Sequence, residues 1–231
     1  MKRFWTTAEA VAEDGGWGVR LDARPLRTPG RVPLLVPTEA LGEGIAGEWA
    51  SVEETVDPRA MPLTGLANSA IDRVAPDRPA FVASLARYAE ADLACYRAEG
   101  PETLVERQQQ SWDSLLGWAR RRFDVDFAVT KGIVHVAQPK PTVDRLAHEF
   151  AALDAFRLAG LSPLVTIGGS LVAALAVLEG ALSPEDAWAA VSIDERWQIE
   201  KWGSDAEAEL AMANRRRDFL AAARFLELLG T

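Results

Sequence analysis

The sequence predicts an α+β fold, in which a small β-rich N-terminal domain precedes a larger, mainly α-helical C-terminal domain. Apolar and polar side chains alternate over short stretches near the start of the chain, as they do in half-buried strands. In the remaining sequence, apolar side chains recur at helical spacing. Residues 57–62 include two prolines and indicate a linker. We therefore expect two domains, 1–58 and 59–231, each within the usual size range.

The N-terminal elements follow from local patterns. Residues 17–21 alternate as one half-buried strand, and residues 32–36 form another short strand between prolines. Thr38 then has the side chain of a helix N-cap. The helix that follows carries an apolar face made of Leu41, Ile45, Trp49 and Val52.

The C-terminal part contains a series of predicted helices and one predicted hairpin. The hairpin covers residues 125–136, where alternation surrounds a Thr-Lys-Gly turn. Ser183 caps a helix with proline at its first position, and Ser204 with Glu207 forms a capping box for the last helix. The other predicted helices are 64–74, 79–99, 104–123, 142–158 and 163–179.

Glu195 lies in an unexpected position. At helical spacing it shares a face with Trp188, Ser192, Ile199 and Trp202, so a carboxylate interrupts an otherwise mostly apolar stripe. A buried carboxylate needs a partner, because its desolvation is costly. Two explanations remain open: an ion pair within the chain, or a face that another protein covers. We expect Trp202 to belong to the core, and a binding anchor is the alternative.

A second polar group lies in the predicted helix 79–99. Tyr88, Asp92 and Tyr96 are four residues apart and would stack on one face, with Arg87 or Arg97 as the counter-ion. We expect a structural hydrogen-bonded network that orients helices. A catalytic acid or a binding anchor is the alternative.

Composition excludes several classes of function. The formal net charge of −9 argues against nucleic acid as the main partner. A single cysteine, Cys95, cannot form a disulfide within the chain, and this count fits a reducing compartment. Neither a signal or transit segment nor an apolar run long enough to cross a bilayer is visible. We therefore expect a cytoplasmic protein without membrane insertion.

Motifs in order along nearly the whole chain resemble the Atp12 family, the assembly chaperones of the F1 sector of ATP synthase. Their order and spacing carry the resemblance, rather than any one of them. They are Arg3-Phe4-Trp5, residues 21–29, Glu48-Trp49, residues 61–64 with Ala67-Asn68, residues 87–90 with Asp92, residues 95–97, Glu195 with residues 197–199, and residues 202–203. Ala23, where the family usually has glycine, and Val52, where many members have glutamine, depart from the pattern.

The resemblance implies a monomeric protein that binds the free α subunit of F1, with no catalysis and no cofactor. Within this family, the absence of a visible transit segment predicts a bacterial member that works in the cytoplasm, whereas eukaryotic relatives would be mitochondrial. The conserved acid of the last family motif matches Glu195, and Asp194 is its neighbour. The expected partner-binding residues are Glu195, Asp194, Gln198 and Trp202. The expected structural network consists of Tyr88, Asp92, Tyr96, Arg97 and Trp49.

Two other classes of function remain open at this point. One is a small enzyme that uses Glu195, Asp92 and Arg97 for acid–base chemistry, although no substrate is indicated. The other is a permanent subunit of a larger assembly, which would purify with its partners in fixed stoichiometry.

Overall fold

The computed structural model describes residues 1–230 and confirms the α+β class: over these residues, four short strands precede the first α-helix and two more lie among the later helices. The strands are β1 (Ala8–Glu13), β2 (Gly16–Leu21), β3 (Arg24–Pro25), β4 (Leu35–Val36), β5 (Tyr96–Arg97) and β6 (Thr130–Lys131). The helices are α1 (Glu39–Ala50), α2 (Pro62–Ser69), α3 (Arg78–Ala86), α4 (Glu102–Phe123), α5 (Lys140–Ala151), α6 (Ala155–Gly168), α7 (Leu171–Leu178), α8 (Pro184–Val191), α9 (Ile193–Trp202) and α10 (Ala206–Leu229).

The described chain divides into two compact units. The first contains Met1–Arg78, Asp154–Gly160 and residues 224–230, and the second contains Pro79–Leu153 and Leu161–Ala223. The expected boundary after residue 58 does not coincide with this division. The first unit is discontinuous in sequence, because it also takes the start of α6 and the end of α10.

In the first unit, β2 pairs antiparallel with β1, β3 and β4. Strand β2 was predicted from the sequence and β1 was not, because the apolar positions of β1 are alanines and Val11 interrupts their alternation with glutamates. Helix α1 packs closely on this sheet at Gly42, where a Cβ atom would lie 3.2 Å from side-chain atoms of Ala10 and Trp17. A larger residue there would force the helix away from the sheet.

Helix starts in the first unit are held by side chains. The Leu41 amide donates to the Thr38 hydroxyl at 3.3 Å, which confirms Thr38 as the N-cap of α1. The Glu48 carboxylate accepts from the amides of Leu63 and Thr64 at 2.7 and 2.8 Å at the start of α2. Burial raises the pKa of Glu48, and the hydrogen bonds from Thr64 and Leu63 only partly offset this.

In the second unit, α4 contacts α7, α8 and α9. One face of α4 is buried, and the Trp112 indole N–H on that face donates to the Ala190 carbonyl at 2.8 Å. Helix α7 is apolar throughout, and Leu171–Ala176 are all buried. The prediction of 104–123 as a helix is confirmed by α4.

The predicted helix 79–99 is wrong beyond Ala86. A 3₁₀ turn at Arg87–Glu90, a second at Leu93–Cys95 and strand β5 replace its second half. The predicted hairpin 125–136 is also wrong, because its one short strand, β6, pairs in parallel with β5. Long-range pairing therefore overrides both local patterns.

The breaks between later helices are set by caps that the periodicity did not reveal. The Asp154 carboxylate accepts from the amides of Phe156 and Arg157 at 2.8 and 2.9 Å, so 142–158 is two helices rather than one. Gly169, with φ of +68°, separates α6 from α7, so 163–179 is also interrupted. The Ser183 cap is confirmed, whereas Asp205, and not the predicted Ser204, caps α10.

No helix among residues 1–230 combines the length and the apolar character that crossing a membrane requires.

Candidate partner-binding site

The predicted stripe around Glu195 is divided between two helices. Ser192 ends α8 and precedes α9, and its hydroxyl donates to the Trp188 carbonyl at 2.6 Å. Trp188 is buried against Phe219, with ring centroids 5.6 Å apart. The expectation of one continuous apolar face from Trp188 to Trp202 is therefore wrong.

A groove lies between α9 and the first half of α10, and we call it the α9–α10 groove. Its volume is about 640 Å³. Its lining contains carboxylates as well as apolar side chains. This mixture of charged and apolar groups suits a protein partner better than a small apolar ligand. The lining residues from α9 are Glu195, Gln198, Ile199 and Trp202, and those from α10 include Ala208, Ala211, Met212 and Arg215.

Glu195 combines features of both explanations that the sequence left open. Its Oε1 atom lies 2.5 Å from Nη1 of Arg215, and the two side chains are 40% and 42% exposed. The Arg215 guanidinium also lies 5.9 Å from the centroid of the Trp188 ring. An ion pair this exposed contributes only about 0.2–1 kcal/mol to folding, so a partner could exchange it at little cost.

Asp194 has a different environment from its neighbour. Its carboxylate accepts from the Gln108 amide at 2.6 Å, and the Gln108 side-chain carbonyl accepts from the Ala98 amide at 2.8 Å. Gln108 is 1% exposed, so Asp194 fixes the start of α9 to the interior of the second unit. Gln108 was not predicted as a site residue, although a glutamine on the apolar face of α4 was a usable signal.

Trp202 is 74% exposed, so its expected place in the core is wrong. Trp197 is the buried tryptophan of α9, and its ring meets that of Trp202 edge to face at 5.5 Å. Gly203, with φ of +77°, ends the helix immediately afterwards. Gln198 is exposed on the same groove. The binding-anchor alternative for Trp202 therefore fits its position.

The expected structural network is not assembled as one cluster. Asp92 is fully buried and accepts from the amides of Ala94 and Val172, each at 3.0 Å, so it holds the start of α7. Burial raises the pKa of Asp92. The hydrogen bonds lower it, that from Val172 most strongly, but they do not offset the effect of burial. Tyr88 lies in the 3₁₀ turn and is partly buried, whereas the Tyr96 hydroxyl pairs with Nδ1 of His135 at 3.0 Å.

Arg97 and Trp49 take part in other contacts. Arg97 is buried, pairs with Asp113 at 2.8 Å and donates to the Gln108 carbonyl at 3.0 Å. Trp49 belongs to the first unit, where its carbonyl accepts from the Trp5 indole at 3.1 Å. Physically, the break in the predicted helix after Ala86 removes the register that would have stacked the two tyrosines on Asp92.

The residues named for the enzyme alternative serve separate structural contacts. Asp92 holds a helix start, Arg97 pairs with Asp113, and Glu195 pairs with Arg215 on the α9–α10 groove. Cys95 does not supply a nucleophile, because burial and the nearby Asp92 charge raise the pKa of its thiol to about 12.

Residues 2–120 match the family described as ATP12 chaperone protein. The chain belongs to the ATP12 family. It is 26% identical over 221 residues to the mitochondrial protein atp12 of Schizosaccharomyces pombe, covering 90% of this chain and 75% of that protein. The family description names a chaperone and no enzyme, which favours the chaperone interpretation over the enzyme alternative.

Solved structures extend the similarity over the whole fold. Atp12 from Paracoccus denitrificans is 46% identical, with a TM-score of 0.93 and coverage of 99% of this chain and 98% of that one. A protein from Agrobacterium tumefaciens is 38% identical, with a TM-score of 0.94 and coverage of 99% and 86%. The family match ends at residue 120, before α9. The similarity of the α9–α10 groove to known proteins therefore rests on these solved structures. Membership of the ATP12 family thus supports a role as a chaperone for ATP synthase assembly.

Proposed function

We propose that this chaperone binds the unassembled α subunit of F1 and shields the surface that later meets the β subunit. An unassembled subunit exposes apolar area meant for its neighbour, and such area aggregates. A monomeric binder that covers this area and then yields to β would prevent that loss. Membership of the ATP12 family supports the chaperone role, and the named partner is our inference.

The exposed Trp202 beside the Glu195–Arg215 ion pair is the observation that carries the proposed contact surface. A tryptophan that is 74% exposed on a groove is the kind of aromatic anchor that dominates protein interfaces. Ile199 and Met212 supply further apolar lining. Methionine adapts its shape readily, which suits a client that must be released again.

Glu195 would then meet a basic or hydrogen-bond-donating group of α. The ion pair between Glu195 and Arg215 is exposed. Binding would therefore replace one charge-assisted contact of Glu195 with another, and Arg215 would remain in contact with solvent rather than be buried without a partner. In this proposal Asp194 acts indirectly, since its bond to Gln108 holds α9 in place. Gln198 lies within reach of the same partner surface.

Light scattering of purified α subunit, with and without equimolar chaperone, tests the proposal. We expect the wild-type chain to suppress aggregation without nucleotide hydrolysis. Glu195→Gln should weaken α binding by about 2 kcal/mol, the scale of a lost charge-assisted contact. Its stability should change by no more than about 1 kcal/mol, the upper value for an exposed ion pair.

Glu106→Gln on α4 is the matched control, because Glu106 is exposed and lines neither groove beside α9. It should bind α like the wild type. Failure of the folded wild-type chain to suppress aggregation would refute the proposed function. Recovery of a complex of fixed stoichiometry that persists with assembled F1 would instead favour a permanent subunit.

We further infer that the chain acts in the bacterial cytoplasm as a monomer. The solved relatives come from bacteria, whereas the fungal relative is mitochondrial. Fractionation of the source cells, followed by sedimentation of the purified chain, measures both properties. A membrane-bound pool that resists salt washing would contradict the cytoplasmic assignment.

A further inference from the structure

A second groove lies along another face of α9, between α4, α8 and α9, and we call it the α4–α9 groove. Its volume is about 780 Å³. Ile193, Arg196 and Glu200 face this groove, whereas Glu195, Ile199 and Trp202 face the α9–α10 groove. The helical spacing places these two sets on separate faces of one helix.

Apolar side chains and arginines together line the α4–α9 groove. Leu115 and Trp118 come from α4, and Leu182 precedes α8. Arg107, Arg121 and Arg196 line the same groove, against the carboxylates of Asp186 and Glu200. The groove therefore carries an excess of positive charge, although the whole chain has a formal net charge of −9.

The arginines of this groove differ in whether a carboxylate already neutralises them. Arg107 pairs with Glu200 at 2.7 Å. In the run of arginines at the end of α4, Arg120 pairs with Asp126 and Arg122 pairs with Glu179. Arg121 alone in that run lines the groove, and within residues 1–230 it makes no ion pair.

Arg196 is also without an ion pair in the described part of the chain, and it too is exposed. Asp186, the remaining carboxylate, accepts a hydrogen bond from the Ser183 hydroxyl at 2.7 Å. Two guanidinium groups therefore remain available beside an apolar floor. Guanidinium groups bind carboxylates through paired N–H donors, and arginine is favoured at protein interfaces.

We propose that the α4–α9 groove binds an acidic, amphipathic segment of the α subunit, with an apolar side chain on Trp118 and Leu182 and carboxylates on Arg121 and Arg196. This proposal rests on the proposed function, since it names a second contact of the same client. Two features support it: the charge complementarity, and the position of both grooves on one short helix. The α subunit would then contact α9 on two of its faces.

Charge reversal of both arginines provides the binding test. Arg121→Glu with Arg196→Glu should weaken the binding of purified α subunit at least about tenfold, mainly through slower association, and reduce its salt dependence. Replacing both by lysine should restore most of the association rate, because the charge remains. Arg59→Glu in the first unit is the matched control, since Arg59 is exposed and forms no ion pair with the described residues.

A crosslinking measurement gives a second readout that does not depend on the charge-reversed variant folding. Ser114 lines the groove and is exposed, so Ser114→Cys can carry a photo-crosslinker. We expect crosslinks to an acidic peptide of α. Crosslinks to a second copy of the chaperone, or to an α peptide without carboxylates, would overturn the proposal.

The outcomes separate the two proposals. If wild-type chain binds α and the double charge reversal binds equally well, the α4–α9 groove is not a client site and the proposed function stands. If the folded wild-type chain does not bind α, both proposals fail.

Discussion

The α4–α9 and α9–α10 grooves share a helix but differ in how their walls are held. At the α4–α9 groove, Gln108 fixes the start of α9 through Asp194, and Trp112 fixes the end of α8. At the α9–α10 groove, every residue from 200 to 211 is exposed. One short helix thus presents an anchored face and an open face, and only Trp197 among its residues is buried.

This difference indicates how a chaperone can bind and release the same client. An anchored face keeps its shape and loses little entropy on binding. An open face of exposed side chains adapts to its partner and exchanges its contacts more easily. We expect the two grooves to respond differently to mutation for this reason.

The largest contrast should come from the two tryptophans of α9. Trp197→Ala should cost about 3–5 kcal/mol of unfolding free energy, because the side chain is only 7% exposed. Trp202→Ala should cost under about 1 kcal/mol but weaken α binding by about 2 kcal/mol or more. Urea unfolding beside a binding titration measures both quantities, and equal losses of stability would contradict the comparison.

An intermediate effect is expected at Gln108. Gln108→Ala leaves the Asp194 carboxylate and the Ala98 amide without their partner, at a cost of about 1–3 kcal/mol. Gln109→Ala, at an exposed position on the same helix, is the control and should change stability by less than about 0.5 kcal/mol. Hydrogen exchange should show faster opening at the start of α9 in the first variant alone. Unchanged exchange there would mean that Asp194 does not anchor the helix.

The smallest effect concerns thiol labelling. Wild-type chain should not react with a thiol reagent near neutral pH while folded, because Cys95 is buried and its pKa is raised to about 12. Ser114→Cys and Ser204→Cys, one beside each groove, should both label readily. Bound α should then protect both sites, and labelling of the wild-type chain at a comparable rate would remove this readout.

Local chemistry was enough to predict several elements. Thr38 and Ser183 cap helices because their hydroxyls accept from the amides three residues ahead, and residues of this type just before a helix are visible in the sequence. The pattern Ser192-x-x-Glu195 also resembles a capping box, and it was the available signal that a new helix begins there. The Ser192 hydroxyl instead donates backwards to Trp188, so the signal marks the break by a different bond.

Contacts between distant residues could not be predicted in the same way. Asp92 lies beyond the end of α3, and its carboxylate accepts from the Val172 amide, far along the chain. Trp202 is exposed although it shares an apolar spacing with Ile199. Spacing along one helix does not show whether another element packs on that face. Glu195 was singled out because it interrupts a mostly apolar sequence pattern, but only the fold identified Arg215 as its neighbour.

The discontinuity of the first unit has a consequence for how the protein is made. Thr38 donates its hydroxyl to the Leu228 carbonyl at 2.6 Å, and Leu226 lies close against Gly160 in the same unit. During synthesis, Thr38 and Gly160 therefore lack these partners until residues 226–228 have been added. The first unit is thus completed after the second, whose residues end at Ala223, and its apolar surface stays exposed for longer in the nascent chain.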